Sequence, residues 1–307
     1  MALSLGDDRL DFLAALYEEA AIEISEQLAE MPFVDVEGKE IIYLAILKLV
    51  ESLREQTRDW AFEAITDIYA EADELALDAL YGMGIEEFLP ETEDIHLAEI
   101  DGLIDEFLGD ADTALLSVQS AAARLRSGKG LETLTDTRTR QALAAGVLGG
   151  AAALSLKRGI RDKIRGSVVQ IIGKNGRGYG FSLDYYIALA AQQKKYVAMT
   201  TATVVRSLSG GNDLLQVSPQ PSTIGDYCDE YRGKIVSISG THPYYPSITM
   251  LPGGAGAPFH PHCHHWMQVY DGSFEDRGPI SQEFLDLAVA NPDAQPWDYQ
   301  RLWVGSG

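Results

Sequence analysis

The sequence has few cysteines, with only Cys228 and Cys263 in 307 residues. Two cysteines exclude a disulfide-rich secreted scaffold and favour assembly in the cytosol. The first ten residues lack a basic stretch followed by an apolar one, so we expect no signal peptide. The longest apolar run, residues 142–156, contains three glycines and is shorter than the roughly 20 residues that a transmembrane helix needs. A buried helix rich in small residues explains this run better than a membrane segment.

Basic residues are also scarce, with 24 Lys and Arg against 46 Asp and Glu and a formal net charge of -22. The deficit is uneven along the chain. Residues 1–110 carry 30 acids and 5 bases, residues 111–206 carry 5 acids and 15 bases, and residues 207–307 carry 11 acids and 4 bases. The total argues against nonspecific nucleic-acid binding by the whole surface. The basic middle third is the part expected to meet DNA or an acidic protein.

Hydrophobic periodicity of three to four residues predicts long amphipathic helices in the first two-thirds of the chain. We expect them at residues 10–31, 40–81, 96–126, about 135–172 and 183–205. The third is expected to be interrupted or softened at Gly102 and Gly109. In the second helix, the predicted core residues are Trp60, Phe62, Ile65, Ile68, Tyr69, Leu75 and Leu80.

Past Gly210 the periodicity changes to short strand-like runs separated by proline and glycine. These runs lie at residues 214–217, 234–239 and 265–270. The Gly-rich segment 173–180, GKNGRGYG, predicts a turn or hairpin tip and lacks the spacing of a phosphate-binding loop. The predicted fold class is α+β, predominantly α, with long N-terminal helices followed by a small irregular α+β C-terminal lobe with a few short strands.

Composition divides the sequence into four predicted regions. They are an acidic helical region (1–131), a basic helical waist (132–210), a small strand-containing Cys/His lobe (211–275) and a C-terminal docking tail (276–307). The Cys/His lobe is short of obvious core residues, and such small lobes commonly need a metal or a disulfide.

The chemically distinctive stretch is residues 217–270, which holds both cysteines and five of the six histidines. Four of those histidines lie with Cys263 inside residues 260–265, and Cys228 lies 35 positions upstream of Cys263. Thiolate and imidazole are ligands that structural zinc accepts, so this spacing can close a loop around one ion. In the alternative interpretation, the cysteines only pack or form a disulfide, and the histidines bond to the Pro/Gly-rich backbone.

Catalytic chemistry at this cluster has less support in the sequence. The His-Glu-x-x-His pattern of metalloproteases and the Pro-Cys-x-x-Cys pattern of zinc deaminases are both absent, and residues 260–265 contain no carboxylate to act as a base. Cys263, flanked by His262 and His264, is a candidate nucleophile, but a spacing alone does not show which base would pair with it.

Three segments together resemble the C-terminal module of bacteriophage head morphogenesis proteins, the phage Mu F-like minor capsid family. They are GRGYGFSLDYYIALAAQQKK, LLQVSPQPSTIGDYCDEYRGKIVSIS and PFHPHCHHWMQVY. In that family, a helix opened by an aromatic, Ser and Tyr precedes a strand, then a cysteine-bearing turn leads into a Gly-Lys strand, and a His-Pro-x-Cys segment closes the module. Each piece appears here in the same order, and the resemblance covers roughly residues 140–270.

The chain departs from the family pattern at two places before the closure. The family often has Cys-x-x-Cys ahead of the Gly-Lys strand, whereas here Cys228 matches the second cysteine and Gly225 stands at the first. The helix also lacks the Arg-Thr pair common in the family and has Gln192 and Gln193 instead. Any role of that pair is therefore not carried over to this chain.

At the closure, His260 and Cys263 match the family's His-Pro-x-Cys, and His265 stands where a second cysteine often occurs. The resemblance thus implies a structural zinc held by Cys228, His260, Cys263 and His265. Two thiolates and two imidazoles are a ligand set that tetrahedral zinc accepts. The remaining histidines of the cluster, His262 and His264, are then expected to be dispensable for the metal.

The resemblance further implies a non-enzymatic structural protein of the virion, a minor head protein of a tailed bacteriophage that acts in head morphogenesis. Its expected place is near the portal or on the capsid interior, after assembly in the host cytoplasm, with the portal or major capsid protein as partner. Neither a membrane nor a small-molecule substrate is expected. The alternatives are a metal-dependent hydrolase or toxin-like effector domain carried on a phage protein, and an adaptor that only binds another protein.

Four basic residues cluster at the far end of the predicted fourth helix: Arg158, Arg161, Lys163 and Arg165. Cations near a helix C-terminus interact favourably with the helix dipole, so a solvated face is one interpretation. The other interpretation is contact with packaged DNA or with an acidic partner.

Overall fold

The computed structural model describes residues 7–129, 150–172, 178–219, 227–251, 256–259 and 262–272. These residues contain helices α1 (Asp7–Glu30), α2 (Val36–Gly82), α3 (Thr92–Arg126), α4 (Gly150–Ser167) and α5 (Leu183–Ser209). They also contain strands β1 (Val169–Ile172), β2 (Gly178–Phe181), β3 (Leu214–Val217), β4 (Ile235–Ser237) and β5 (Met267–Val269). The predicted fold class, α+β with helices predominating, is confirmed. In these ranges no helix combines the length and the apolar character that crossing a bilayer requires.

Some predictions concern residues outside these ranges. The predicted start of the fourth helix near residue 135 and the predicted docking tail, residues 276–307, both lie outside the described residues.

Helix α2 is 47 residues long because its sequence contains no proline and keeps an apolar face throughout. It ends where Gly84 takes a left-handed φ of +82° and the N–H groups of Met83 and Ile85 bond back to the Leu80 carbonyl, each at 3.0 Å. Glycine accepts this conformation without a Cβ penalty, so the chain can turn toward α3. Buried residues of α2 include the predicted Trp60, Ile65, Ile68, Tyr69 and Leu80.

Two predicted core residues of α2 are instead exposed. Phe62 is 53% exposed and Leu75 is 41% exposed, so their assignment to the core was wrong. The buried stripe is built largely on small residues: Ala61, Ala64, Ala72 and Ala76. Alanines let neighbouring elements approach closely, which leaves the bulky residues beside them at the rim of the stripe.

Helix α3 runs without a break through both of its glycines, so the expected interruption does not occur. A Cβ added at Gly102 or Gly109 would meet no described atom within 4 Å, which shows that both face open space. Each glycine costs roughly 1 kcal/mol of helix propensity. Burial of Leu103 and Phe107 on the opposite face outweighs that cost.

Residues 169–172 form a strand, so the predicted continuation of the fourth helix to residue 172 is wrong. Val169, Ile171 and Ile172 are β-branched and stiff at χ1, which favours an extended backbone once Ser167 has ended the helix. The resulting β1 pairs antiparallel with β2, with Val169 opposite Phe181 and Ile172 opposite Gly178. The two strands flank residues 173–177, which lie outside the described residues.

Strand β3 is the centre of a three-stranded antiparallel sheet with the order β4-β3-β5. Leu215 pairs with Val236 on one side and with Val269 on the other. The buried Gln216 amide donates to the Gly233 carbonyl at 3.0 Å, so its polar group is satisfied inside the sheet. All three predicted strands are confirmed, two of them with narrower bounds, and the sheet brings the segments around Cys228 and Cys263 together.

The chain forms two compact units, each assembled from separate segments. One unit combines Phe62–Asp105 with the chain from Ala191 onward, and the other combines Asp8–Ala61 with Glu106–Ala190. In the second unit, Tyr17 and Thr57 hydrogen-bond at 2.7 Å and the Trp60 indole donates to the Arg9 carbonyl at 2.8 Å. The four-part division of the sequence by composition stays a prediction.

A buried charge network fixes α5 against α2 and α3 inside the first unit. The Arg206 side chain is 8% exposed and donates two hydrogen bonds to Asp73, at 2.7 and 2.5 Å. It donates a third, longer hydrogen bond to the Glu93 carboxylate at 3.3 Å. The His96 ring is also buried, and its Nδ1 lies 2.9 Å from the Tyr69 hydroxyl. Its Nε2 is 3.2 Å from Asp73 but is not aligned for a hydrogen bond. The network holds α5 as a scaffold for the Cys/His lobe.

The Cys/His lobe has more core than its sequence suggests, so the expectation of a core-poor lobe is corrected. A hydrophobic cluster contains eleven buried residues: Leu215, Val217, Cys228, Tyr231, Val236, Ile248, Leu251, Ala257, Phe259, Cys263 and Met267. Members come from strands, turns and irregular segments, so no periodic pattern marks them in the sequence. Both cysteines belong to this cluster.

Candidate metal site

Cys228 is placed by a 3₁₀ turn, Tyr227–Glu230, that precedes β4. The N–H of Tyr231 bonds to the Cys228 carbonyl at 3.1 Å, and the N–H of Arg232 bonds to the Asp229 carbonyl at 3.2 Å. Gly233 then takes φ +71°, and its N–H bonds to the Val217 carbonyl at 3.0 Å, which leads the chain into β4. The turn therefore holds the Cys228 thiol against the sheet.

Cys263 and His265 are placed by the segment that leads into β5. The N–H of Ser218 bonds to the Trp266 carbonyl at 2.9 Å, which continues the β3–β5 pairing beyond Val217. Thr200 of α5 supports the same segment, because its hydroxyl donates to the Ala257 carbonyl at 2.7 Å and accepts from the Met267 N–H at 3.1 Å. Sequence periodicity gave no signal for Thr200.

Three of the four predicted ligands meet at one point. One donor atom each from Cys228, Cys263 and His265 lies within 4.8 Å of the others, and all three residues are buried. The Cys263 Sγ is 3.5 Å from His265 Nδ1. Tetrahedral zinc with Zn–S near 2.3 Å and Zn–N near 2.05 Å separates sulfur and nitrogen by roughly 3.5 Å. The donor types and their spacing therefore fit a zinc-like ion.

The electrostatics favour a thiolate at Cys263. Burial raises the pKa of Cys263, but hydrogen bonds with Cys228 and His265, together with the electrostatic effect of His265, outweigh burial and lower that pKa to about 4. The backbone N–H of His265 also points at the Cys263 sulfur, at 3.5 Å. A thiolate is the form that binds metal, so the lowered pKa of Cys263 favours metal binding.

Beside the three ligands lies a carboxylate that sequence reasoning did not single out. Asp229 Oδ1 is 3.9 Å from His265 Nε2, which is too long for a hydrogen bond. Nε2 is buried and finds no hydrogen-bond partner among the described residues. Asp229 directly follows Cys228 in the same turn, but its proximity to His265 depends on the pairing of distant strands.

Among the described residues, neither His262 nor His264 belongs to this group of donor atoms. His262 is exposed, and His264 lies 3.3 Å from both the Gln192 amide and the Tyr196 hydroxyl. Burial lowers the pKa of His264, with Cys263 opposing the shift and His265, His262 and Lys195 adding to it. That His262 and His264 are dispensable for the metal stays a prediction. His260, the fourth predicted ligand, and Gly225 lie outside the described residues.

Both cysteines are buried, each 1% exposed, and they are not joined in a disulfide, so the disulfide alternative is not what the structure contains. A buried thiolate pair with an imidazole can hold a soft or borderline metal. Cys263 is poorly placed as a nucleophile, because an attacking thiolate must be accessible to its substrate.

Two of the four basic residues that define the cluster on α4 pair with acids within their own unit. Arg165 lies 3.5 Å from Glu18 of α1, and Arg161 lies 3.0 Å from Asp162. Lys157, one turn from Arg161, contacts Glu30 of α1 at 2.5 Å. These pairs favour the solvated-face interpretation of the cluster, while contact with DNA stays a prediction.

Comparisons of the chain with protein-family models, with curated proteins and with solved structures found no match.

Proposed function

We propose that this chain is a structural minor head protein of a tailed bacteriophage that acts in head morphogenesis near the portal or on the capsid interior. The observation that supports this proposal is that parts of the three segments that resemble the phage Mu F-like family lie together. Strand β3 of the second segment pairs with β5 of the third, and the Gln192 amide of the first segment lies 3.3 Å from the His264 ring of the third. The segments thus keep the family's order along the chain and also contact one another in the fold.

The role of the metal in this proposal is architectural. Cys228, Cys263 and His265 fill three positions of a four-ligand site, and the resemblance supplies His260 as the fourth. A closed four-ligand site leaves no position for water or substrate, which is the property of a structural zinc. Binding such an ion is worth on the order of 10 kcal/mol, enough to fix the turn of Cys228 against the closure.

A protein inventory of purified virions tests the head-protein role. Particles of the phage that encodes the chain are purified after nuclease treatment and analysed by quantitative mass spectrometry. We expect the chain at a low copy number relative to the major capsid protein, and we expect loss of the gene to yield defective heads. Absence from both virions and proheads, with normal heads in the deletion strain, would overturn the proposal.

Metal analysis of the purified protein tests the site separately. We expect about one equivalent of zinc, which the variants Cys263→Ser and His260→Ala lose and the matched control His262→Ala retains. The control changes a histidine of the same cluster that is exposed. Less than about a tenth of an equivalent, together with an intact lobe after chelation, would remove the metal from the proposal. Loss in His262→Ala with retention in His260→Ala would show that the alignment to the family is out of register.

A further inference from the structure

His265 uses only one of its two ring nitrogens in the candidate site. Nδ1 faces the Cys263 sulfur at 3.5 Å, inside the cluster of donor atoms. Nε2 points the other way, is buried, and has no hydrogen-bond partner in the described ranges. A neutral imidazole that binds a metal through one nitrogen carries a proton on the other, and that N–H needs an acceptor. The Asp229 carboxylate lies 3.9 Å from Nε2.

We propose that Asp229 is the positioning residue of the metal site: it accepts the His265 Nε2–H and so holds the ring with Nδ1 toward the metal. Metal-binding histidines almost always donate their second N–H to a carboxylate, a carbonyl or water, which fixes the tautomer and strengthens the ligand. Closing the gap from 3.9 Å to a hydrogen bond requires a shift of about 1 Å. The inference rests on the metal site proposed above.

The local fold explains why Asp229 occupies this position. A 3₁₀ turn rotates successive residues by roughly 120°, so one turn can direct Cys228 to the metal and Asp229 to the outer side of His265. Arg232, three residues on, lies 4.0 Å from the same carboxylate. The same short segment thus supplies both a metal ligand and the group that orients another ligand.

Asp229 is not placed as a ligand itself. The donor atoms that cluster within 4.8 Å come from Cys228, Cys263 and His265, and no oxygen of Asp229 belongs to that group. Its side chain is 29% exposed, whereas that of His265 is 1% exposed, so the carboxylate lies on the solvent side of the ring. This arrangement makes Asp229 an outer partner of the site.

The test compares metal affinity in variants of the full chain. Zinc affinity is measured by competition with a chromophoric chelator for the wild type, Asp229→Asn, Asp229→Ala and the control Glu230→Gln. We expect affinity to fall about 10-fold for Asp229→Asn, whose amide still accepts a hydrogen bond, and toward 100-fold for Asp229→Ala. Glu230 is exposed on the same turn, so Glu230→Gln removes an equal charge and should leave the affinity unchanged.

Two spectroscopic measurements separate positioning from a general structural role. In the cobalt-loaded protein, the sulfur-to-metal charge-transfer bands should persist in Asp229→Asn, since both thiolates remain bound. In the zinc-loaded wild type, ¹⁵N correlation spectra of the histidine rings should show His265 protonated at Nε2. A metal bound through Nε2, or equal zinc affinity in Asp229→Ala and wild type, would overturn the role of Asp229 while leaving the metal site standing. A wild-type chain that binds no zinc would overturn both.

Discussion

Replacing Asp73 by alanine removes the main partner of the buried Arg206 guanidinium. Arg206 is 8% exposed and makes both of its short hydrogen bonds to Asp73, which is 19% exposed. Breaking a buried ion pair by removing one partner typically costs about 3–5 kcal/mol, because the remaining charge stays desolvated. Glu93 keeps a contact with Arg206 at 3.3 Å but is 79% exposed, so its compensation is small and we expect a loss near 3 kcal/mol.

The assay is urea denaturation followed by far-ultraviolet circular dichroism, with hydrogen exchange to locate the effect on α5. Asp112→Ala is the matched control, because Asp112 pairs with Arg54 at 2.8 Å on the surface, where the two side chains are 57% and 26% exposed. Exposed pairs contribute about 0–1 kcal/mol, so the control should lose less than about 1 kcal/mol. The double variant Asp73→Leu/Arg206→Met should recover most of the loss, since apolar replacements leave no buried charge. A loss below about 1 kcal/mol in Asp73→Ala, equal to that of the control, would refute the reasoning.

Three further predictions concern pH, the support of the closure, and DNA. Burial lowers the pKa of His96, with Asp73 opposing the shift, so the contribution of His96 to stability is complete above pH 6.5 and declines as the pH falls below that value. Denaturation midpoints from pH 7.5 to 5 should therefore fall more steeply in the wild type than in His96→Leu. Equal slopes in the two proteins would contradict this prediction. Thr200→Val leaves the Ala257 carbonyl and the Met267 N–H unpaired and should lower the free energy of unfolding by about 1–3 kcal/mol for each group. Thr200→Ser keeps the hydroxyl and should cost little. Similar denaturation midpoints for both variants would count against the role of the hydroxyl. The last prediction concerns the four basic residues of α4: Arg158, Arg161, Lys163 and Arg165. If all four contact DNA phosphates, a plot of the logarithm of the binding constant against the logarithm of the salt concentration should have a slope of about -3.6, which the quadruple alanine variant loses. The same slope in both proteins would show that these residues form only a solvated face.

The helical part of the fold was largely predictable from the sequence. Long runs without proline and with a 3.6-residue apolar period encode α1, α2 and α3, whose observed ends lie within a few residues of the predicted ones. Errors arose where local preference and tertiary packing conflict. The glycines at 102 and 109 lower helix propensity, but packing along a 35-residue helix overrides them. Residues 169–172 are apolar except for Gln170 and could continue a helix or form a strand, and pairing with β2 decides for a strand.

The donor types of the candidate metal site were predictable from the sequence, but the residues that support those donors were not. Cysteine and histidine are conspicuous because they are rare, and the family resemblance selected His265 over His262, which the structure leaves exposed. Asp229 and Thr200 are ordinary residues in sequence terms. Their roles follow from distances across β3 and β5 and from the packing of α5, which a one-dimensional pattern does not contain.

Simple packing of the two cysteines in the apolar cluster explains only part of the site. A free cysteine behaves as a small hydrophobe, so burial of Cys228 and Cys263 needs no metal. Packing does not account for His265, which is fully buried with Nε2 unpaired among the described residues, a state that costs about 1–3 kcal/mol. Packing also does not account for the two nitrogen atoms of His265, its backbone N and its ring Nδ1, that lie 3.5 Å from the Cys263 sulfur. A metal bound by both thiolates and Nδ1 would neutralise the sulfur charge and fix the proton on Nε2, on the side of Asp229. These contacts support the proposed metal site over simple packing of the two cysteines.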